Sequence, residues 1–108
     1  MVRHCRTVLR NLVKDRFASI PNGARLGGGS VAKIRGMRLK LEGMRPGTPD
    51  LIFWREDGRV LWLEVKTPQG TVSKVQHQTH IQLIEDGHAV RIARSVAELH
   101  EDLIEFYN

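Results

Sequence analysis

Apolar residues follow two rhythms along this chain. In the first half they recur at three- and four-residue spacing, at Val2, Cys5, Val8 or Leu9, Leu12, Val13 and Phe17. That spacing predicts a helix over residues 2 to 17 with one face to bury. Arg3, Arg6, Arg10 and Lys14 fall on its other faces. A short extended piece, Phe17 to Ile20, stops at the Pro21-Asn22-Gly23 turn signal. Ala24 to Ser30 is glycine-rich, reading as a loop that carries Arg25, and it lacks the Gly-Lys-Ser/Thr of a nucleotide-binding loop. Val31 to Glu42 predicts a second helix, capped by Ser30 and ended by Gly43, with Ile34, Met37 and Leu41 as its apolar stripe. The alternative is an arm that orders only on a partner.

In the second half the apolar runs become nearly continuous. Asp50 to Trp54 and Arg59 to Lys66 read as strands joined by Glu56-Asp57-Gly58, a hairpin signature. The run VLWLEVK is apolar almost to its charged end, as expected of a central strand covered on both faces. Ser73 and Gln76 form a capping box that opens a helix running to Gly87, and His88 to Ala93 reads as a further strand. Ser95 and Glu98 repeat the box before a last helix with Val96, Leu99, Leu103, Ile104 and Phe106 as its apolar positions. Helix, short strand, helix, hairpin, helix, strand and helix in that order predict one α/β domain over residues 1 to 108.

Composition bounds the function. With 41% hydrophobic and 27% charged residues the chain has the make-up of a soluble globular domain. No apolar run approaches the roughly 18 to 20 residues of a membrane span, so a cytoplasmic protein is expected. A single cysteine, Cys5, excludes an internal disulfide and a multi-cysteine zinc site, and its apolar neighbours make it a core residue. The net charge of +5 is unevenly spread: residues 1 to 49 carry eleven basic and two acidic side chains, residues 50 to 108 six basic and ten acidic. The first half reads as an electrostatic footprint for a polyanion, or else as a solvated basic surface. His77 and His80 lie one helical turn apart but have no cysteine or acidic partner in the pattern for a zinc site, and His77 beside Gln76 is placed to approach a substrate. Phe53, Trp54 and Trp62 read as core, with base stacking open to Trp54 at its strand end.

The charged residues at the strand ends carry the chemistry. Strand alternation puts Glu64 and Lys66 on one face of the sheet with Trp62, and a hairpin of equal arms brings Asp50 near Glu64. Two carboxylates and a backbone carbonyl suit a magnesium-like ion, and an adjacent lysine can orient or deprotonate water or neutralise charge in a phosphoryl transition state. The alternative is an ion pair between Glu64 and Lys66, with Asp50 capping a turn after Pro49.

The Pro-Asp followed one hairpin later by Glu-Val-Lys resembles the PD-(D/E)xK nuclease superfamily. More narrowly, GMRPGTPDLIFW, GRVLWLEVKTPQGTVSKVQHQ and DGHAVRIARSVAEL resemble the VRR-NUC (virus-type replication-repair nuclease) group. The Pro21-Asn22-Gly23 turn and the Leu39-Lys40 pair are similar to that group too. This resemblance implies a restriction-endonuclease-like core, a mixed central sheet flanked by helices. It implies a Mg2+- or Mn2+-dependent DNA endonuclease with Asp50, Glu64 and the Val65 carbonyl as metal ligands, Lys66 as catalytic lysine and Gln76 beside the site. Phosphate contacts would come from Arg25, Lys33, Arg35, Arg38 and Arg45. Stand-alone members suggest a homodimer acting on branched DNA such as four-way junctions, in a bacterial or phage-infected cell, with a role in DNA repair. The group's first-helix glutamate has no counterpart here, where that helix offers only Asp15; Glu42 or a second chain is the substitute to consider. A catalytically weak nucleic-acid-binding module of the same fold is the alternative, and a sequence-specific restriction enzyme a third.

Overall fold

A computed structural model of the chain describes residues 1–21 and 45–108. The segments predicted as the glycine-rich loop and the basic helix over residues 31 to 42, and Asn22 and Gly23 of the predicted turn, lie outside the described residues, as do Arg25, Lys33, Arg35, Arg38 and Glu42. The described chain runs α1 (Val2–Arg6), α2 (Arg10–Val13), β1 (Phe17–Ser19), β2 (Leu51–Trp54), β3 (Val60–Val65), α3 (Lys74–Glu85), β4 (Ala89–Ala93) and α4 (Val96–Tyr107). The four strands form one sheet in the order β1-β2-β3-β4, with the first two pairings antiparallel and β3-β4 parallel. This is the mixed sheet flanked by helices that the α/β reading expects. Among the described residues no helix is long and apolar enough to cross a membrane.

One face of the sheet builds the core. Leu51, Phe53, Leu61, Leu63 and Ala93 pack against Cys5, Leu9 and Val13 from α1 and α2, and Leu99 and Leu103 from α4. Each fully buried Leu or Phe contributes roughly 1.5–3 kcal/mol, so this face is the main source of stability. The opposite face carries Trp62 and Glu64 and is covered by α3, the crossover that a parallel strand pair requires.

The first helix departs from its prediction. Instead of one helix over residues 2 to 17 the chain forms two short ones, broken at Thr7 to Leu9. The Thr7 hydroxyl donates back to the Arg3 carbonyl, the local competition by which a hydroxyl side chain bends a helix, and β-branched Val8 follows it. Apolar spacing survives the break, because Cys5, Leu9 and Val13 still bury while Val8 is 64% exposed. Lys14 and Asp15 both take positive φ, 51° and 60°, which turns the chain into β1 and moves Phe17 from helix to strand.

The second predicted capping box is half formed. Ser95 caps α4 by accepting from the Glu98 amide, but the Glu98 carboxylate accepts from the Arg94 amide rather than from Ser95. Along α4, Leu99 and Leu103 bury whereas Val96 and Ile104 face solvent. The hairpin turn forms as expected, with Gly58 at φ 88° and the Arg55 amide donating to the Arg59 carbonyl. Phe53 is core, Trp62 is half-buried and donates from Nε1 to His88 Nδ1 at 2.8 Å, and Trp54 is 39% exposed.

Candidate active site

The open end of the hairpin, away from its turn, collects the charged residues. The β2-β3 register pairs Leu51 with Leu63 and Ile52 with Trp62, so its continuation by one residue sets Asp50 opposite Glu64. Directly opposed residues of an antiparallel pair share a face, with Cβ atoms about 4.5–5.5 Å apart. Asp50 Oδ2 accepts the Val65 amide at 2.8 Å. A strand residue points its N–H and C=O to the same edge, so the Val65 carbonyl faces the Asp50 side as well. The Lys66 amide, one residue on, donates the other way, to Ala93 O at 3.0 Å.

The segment leading to Asp50 is fixed against α3. Thr79 Oγ1 donates to the Pro46 carbonyl, the Arg45 guanidinium donates to Gln82 Oε1, and Gly47 lies flat on the helix backbone. Gly47 has φ 82°, and a Cβ there would stand 2.6 Å from the Val75 carbonyl oxygen. Only glycine fits that approach. On its other side the Asp50 carbonyl accepts the Ile20 amide at 2.8 Å, which ties it to the end of β1.

Lys66 follows β3 and its ammonium donates to Gln76 Oε1 at 2.7 Å. The same oxygen accepts the Ser73 amide at 2.9 Å, while Gln76 N–H donates to Ser73 Oγ. The capping box of α3 is therefore also the clamp on the lysine, and Gln76 serves both purposes. Beyond Lys66 the Thr67 to Gly70 turn is held by Arg94, whose guanidinium donates to the carbonyls of Thr67 and Gly70.

Glu64 is 1% exposed and Asp50 8%. Two adjacent carboxylates removed from water repel one another, and each loses hydration worth several kcal/mol, so opposite charge is needed to hold both ionised. Two carboxylates and a carbonyl are the oxygen donors that Mg2+ or Mn2+ selects, with water completing the shell. Among the described residues no three His, Cys, Asp or Glu side chains gather. Beside Asp50 and Val65 opens a cleft of about 220 Å3, also lined by Met1, Val2, Ser19, Ile20 and Leu51. The donor set fits a divalent ion by its chemistry; Glu64, buried against α3, is not among the residues that line this cleft. Asp15 is not part of it: Arg16 and Phe17 align with Trp54 and Phe53, so Asp15 stands beyond the far end of β2, roughly 10 Å or more away at about 3.4 Å per strand residue. On the first-helix side the cleft wall is Met1 and Val2.

One site residue escaped the sequence reading. His80 is buried, and its Nε2 lies 3.5 Å from Glu64 Oε1. Burial, then the neighbouring His77 and the Lys66 charge, lower its pKa from the usual value. Its position four residues after Gln76, hence on the same helical face, was the available signal. Of the five phosphate-contact candidates only Arg45 lies among the described residues, and its guanidinium is engaged with Gln82.

Comparison with known proteins bears on this arrangement. A comparison with curated protein sequences finds no match. Among solved structures the chain is similar to one described as a VRR_NUC domain protein, with a TM-score of 0.65 and 19% identity over 97% of this chain and 85% of that one. At that identity the likeness is one of fold. The family model for the VRR-NUC domain matches residues 6–97, which takes in β1, the hairpin, α3 and β4. With that match over most of its length, the chain belongs to the VRR-NUC family of nuclease domains.

Proposed function

We propose that this single-domain chain is a Mg2+- or Mn2+-dependent endonuclease that hydrolyses DNA phosphodiesters by structure rather than by sequence, with four-way junctions and other branched DNA as preferred substrates. The observation that carries the reading is the meeting, at the open end of one hairpin, of Asp50, Glu64 and the Val65 carbonyl with a lysine clamped by Gln76. Family membership supplies the nuclease class.

In this reading Asp50, Glu64 and the Val65 carbonyl hold the divalent ion. The chemistry supplied by such an ion, when bound, is polarisation of the scissile phosphate and a lowered pKa for water. Lys66, fixed through Nζ to Gln76 Oε1, orients the attacking water or offsets charge on the phosphate as the bond breaks. The basic first half, including Arg25, Lys33, Arg35, Arg38 and Arg45, contacts backbone phosphates, which position a duplex without reading its sequence. A homodimer would present two such sites to two symmetry-related strands. Its place of action would be the cytoplasm of a bacterial or phage-infected cell, in DNA repair.

The test is strand nicking of branched and linear DNA with and without each metal. The expected outcome is metal-dependent cutting that favours branches, reduced at least about 100-fold in Glu64→Gln and Lys66→Ala with DNA binding retained. Absence of a metal-dependent product at any enzyme concentration would refute it. One observation favours a second reading, a catalytically weak DNA-binding module: Asp15 lies remote from the site and the first-helix wall of the cleft is apolar. That reading predicts junction binding without cutting.

A further inference from the structure

Among the described residues, His80 is a buried polar side chain that the proposed reaction leaves unused. It is 6% exposed, and its Nε2 has no hydrogen-bond partner among the described residues. Glu64 Oε1 lies 3.5 Å from it. A buried polar atom left without a partner loses its hydration uncompensated, and a leucine of similar volume would avoid that cost. Packing alone does not explain a histidine here. The helix that carries it is pinned to the segment before Asp50 through Thr79 and Pro46, and to Lys66 through Gln76. His80 is thus held at a set depth behind Glu64, on the side away from the core.

We propose that His80 is a positioning residue for Glu64: it presents Nε2–H to Oε1 and fixes the rotation of the carboxylate, so that Oε2 is turned toward Asp50 and the Val65 carbonyl. This rests on the reading of Asp50 and Glu64 as ligands of a divalent ion. At 3.5 Å the pair is longer than a full hydrogen bond, and a small rotation of either side chain closes the gap. A glutamate has three rotatable bonds, whereas a magnesium-like ion demands near-ideal oxygen geometry. Outer partners that orient such ligands are typically worth 10- to 100-fold in metal affinity.

Two measurements test this. Nitrogen-resolved NMR of the imidazoles in the metal-free protein, with the His80 signal assigned by its loss in His80→Gln, is expected to show the Nε2–H tautomer. The Nδ1–H tautomer, read in the wild-type protein, would overturn the proposal. Mn2+ titration followed by electron paramagnetic resonance is expected to weaken about tenfold or more in His80→Leu and to recover largely in His80→Gln, whose amide can still donate. Unchanged affinity in a folded His80→Leu overturns the role of His80 alone. A wild-type protein that binds no Mn2+ overturns the ligand reading beneath it as well.

Discussion

Gly47 shows how one small residue sets the site. Its positive φ and its contact with the Val75 carbonyl bring the Pro46 to Asp50 segment flush against α3, so Asp50 arrives at the end of β2 already directed. A methyl group there forces backbone apart at 2.6 Å in a conformation that side chains rarely adopt. Gly47→Ala is therefore expected to destabilise by roughly 1–3 kcal/mol in denaturant unfolding, and to cost more cleavage than that loss explains because Asp50 is displaced. An unchanged midpoint and rate would show that the segment adjusts freely. At this scale the sequence was partly readable. Asp50, Glu64 and Lys66 come together by strand alternation and hairpin pairing, both local rules. The burial of His80 depends on how deeply α3 docks on the sheet, which no local pattern carries.

Among the elements, those with strong local signals form where the sequence placed them. The Glu56-Asp57-Gly58 turn, the Ser73-Gln76 box and Gly87 each solve a backbone hydrogen-bonding problem within a few residues, so β2, β3 and α3 are legible to within a residue or so. The break between α1 and α2 leaves no trace in the apolar spacing, which reports which residues bury and is blind to a break that preserves the buried face. Helix α4 is anchored at its far end by Tyr107, whose hydroxyl donates to the carbonyls of Arg16 and Trp54, both at 3.2 Å. Burial and the proximity of Cys5 push its pKa up to about 12. The unfolded phenol ionises near its ordinary value of 10.0, so the folded state holds more protons between those values and stability falls as pH rises through that window. Tyr107→Phe is expected to lose the phenol's share of this alkaline decline and, at neutral pH, about 1 kcal/mol from the lost hydrogen bonds. Thermal unfolding against pH measures both, and an unaltered alkaline slope would remove Tyr107 as its source.

Across the whole molecule, the sheet divides the labour. Its apolar face packs on α1, α2 and α4 and supplies stability; its other face holds Glu64 beneath His80 of α3, and the open end of the hairpin adds Asp50 and Lys66. Charge is divided along the chain as well, with the basic half preceding Asp50 and the acidic half including Glu64. A polyanion attracted to the first would be delivered to the second, where the proposed divalent ion would offset the carboxylates. In the proposed mechanism Asp50 and Glu64 serve one ion together. Mn2+ titration of the wild type, Asp50→Asn, Glu64→Gln and the double variant tests it most directly. One shared site predicts that either single change removes most of the affinity and that the double variant is little worse, because coupled ligands are strongly non-additive. Losses that simply add, or wild-type affinity surviving in both single variants, would contradict it.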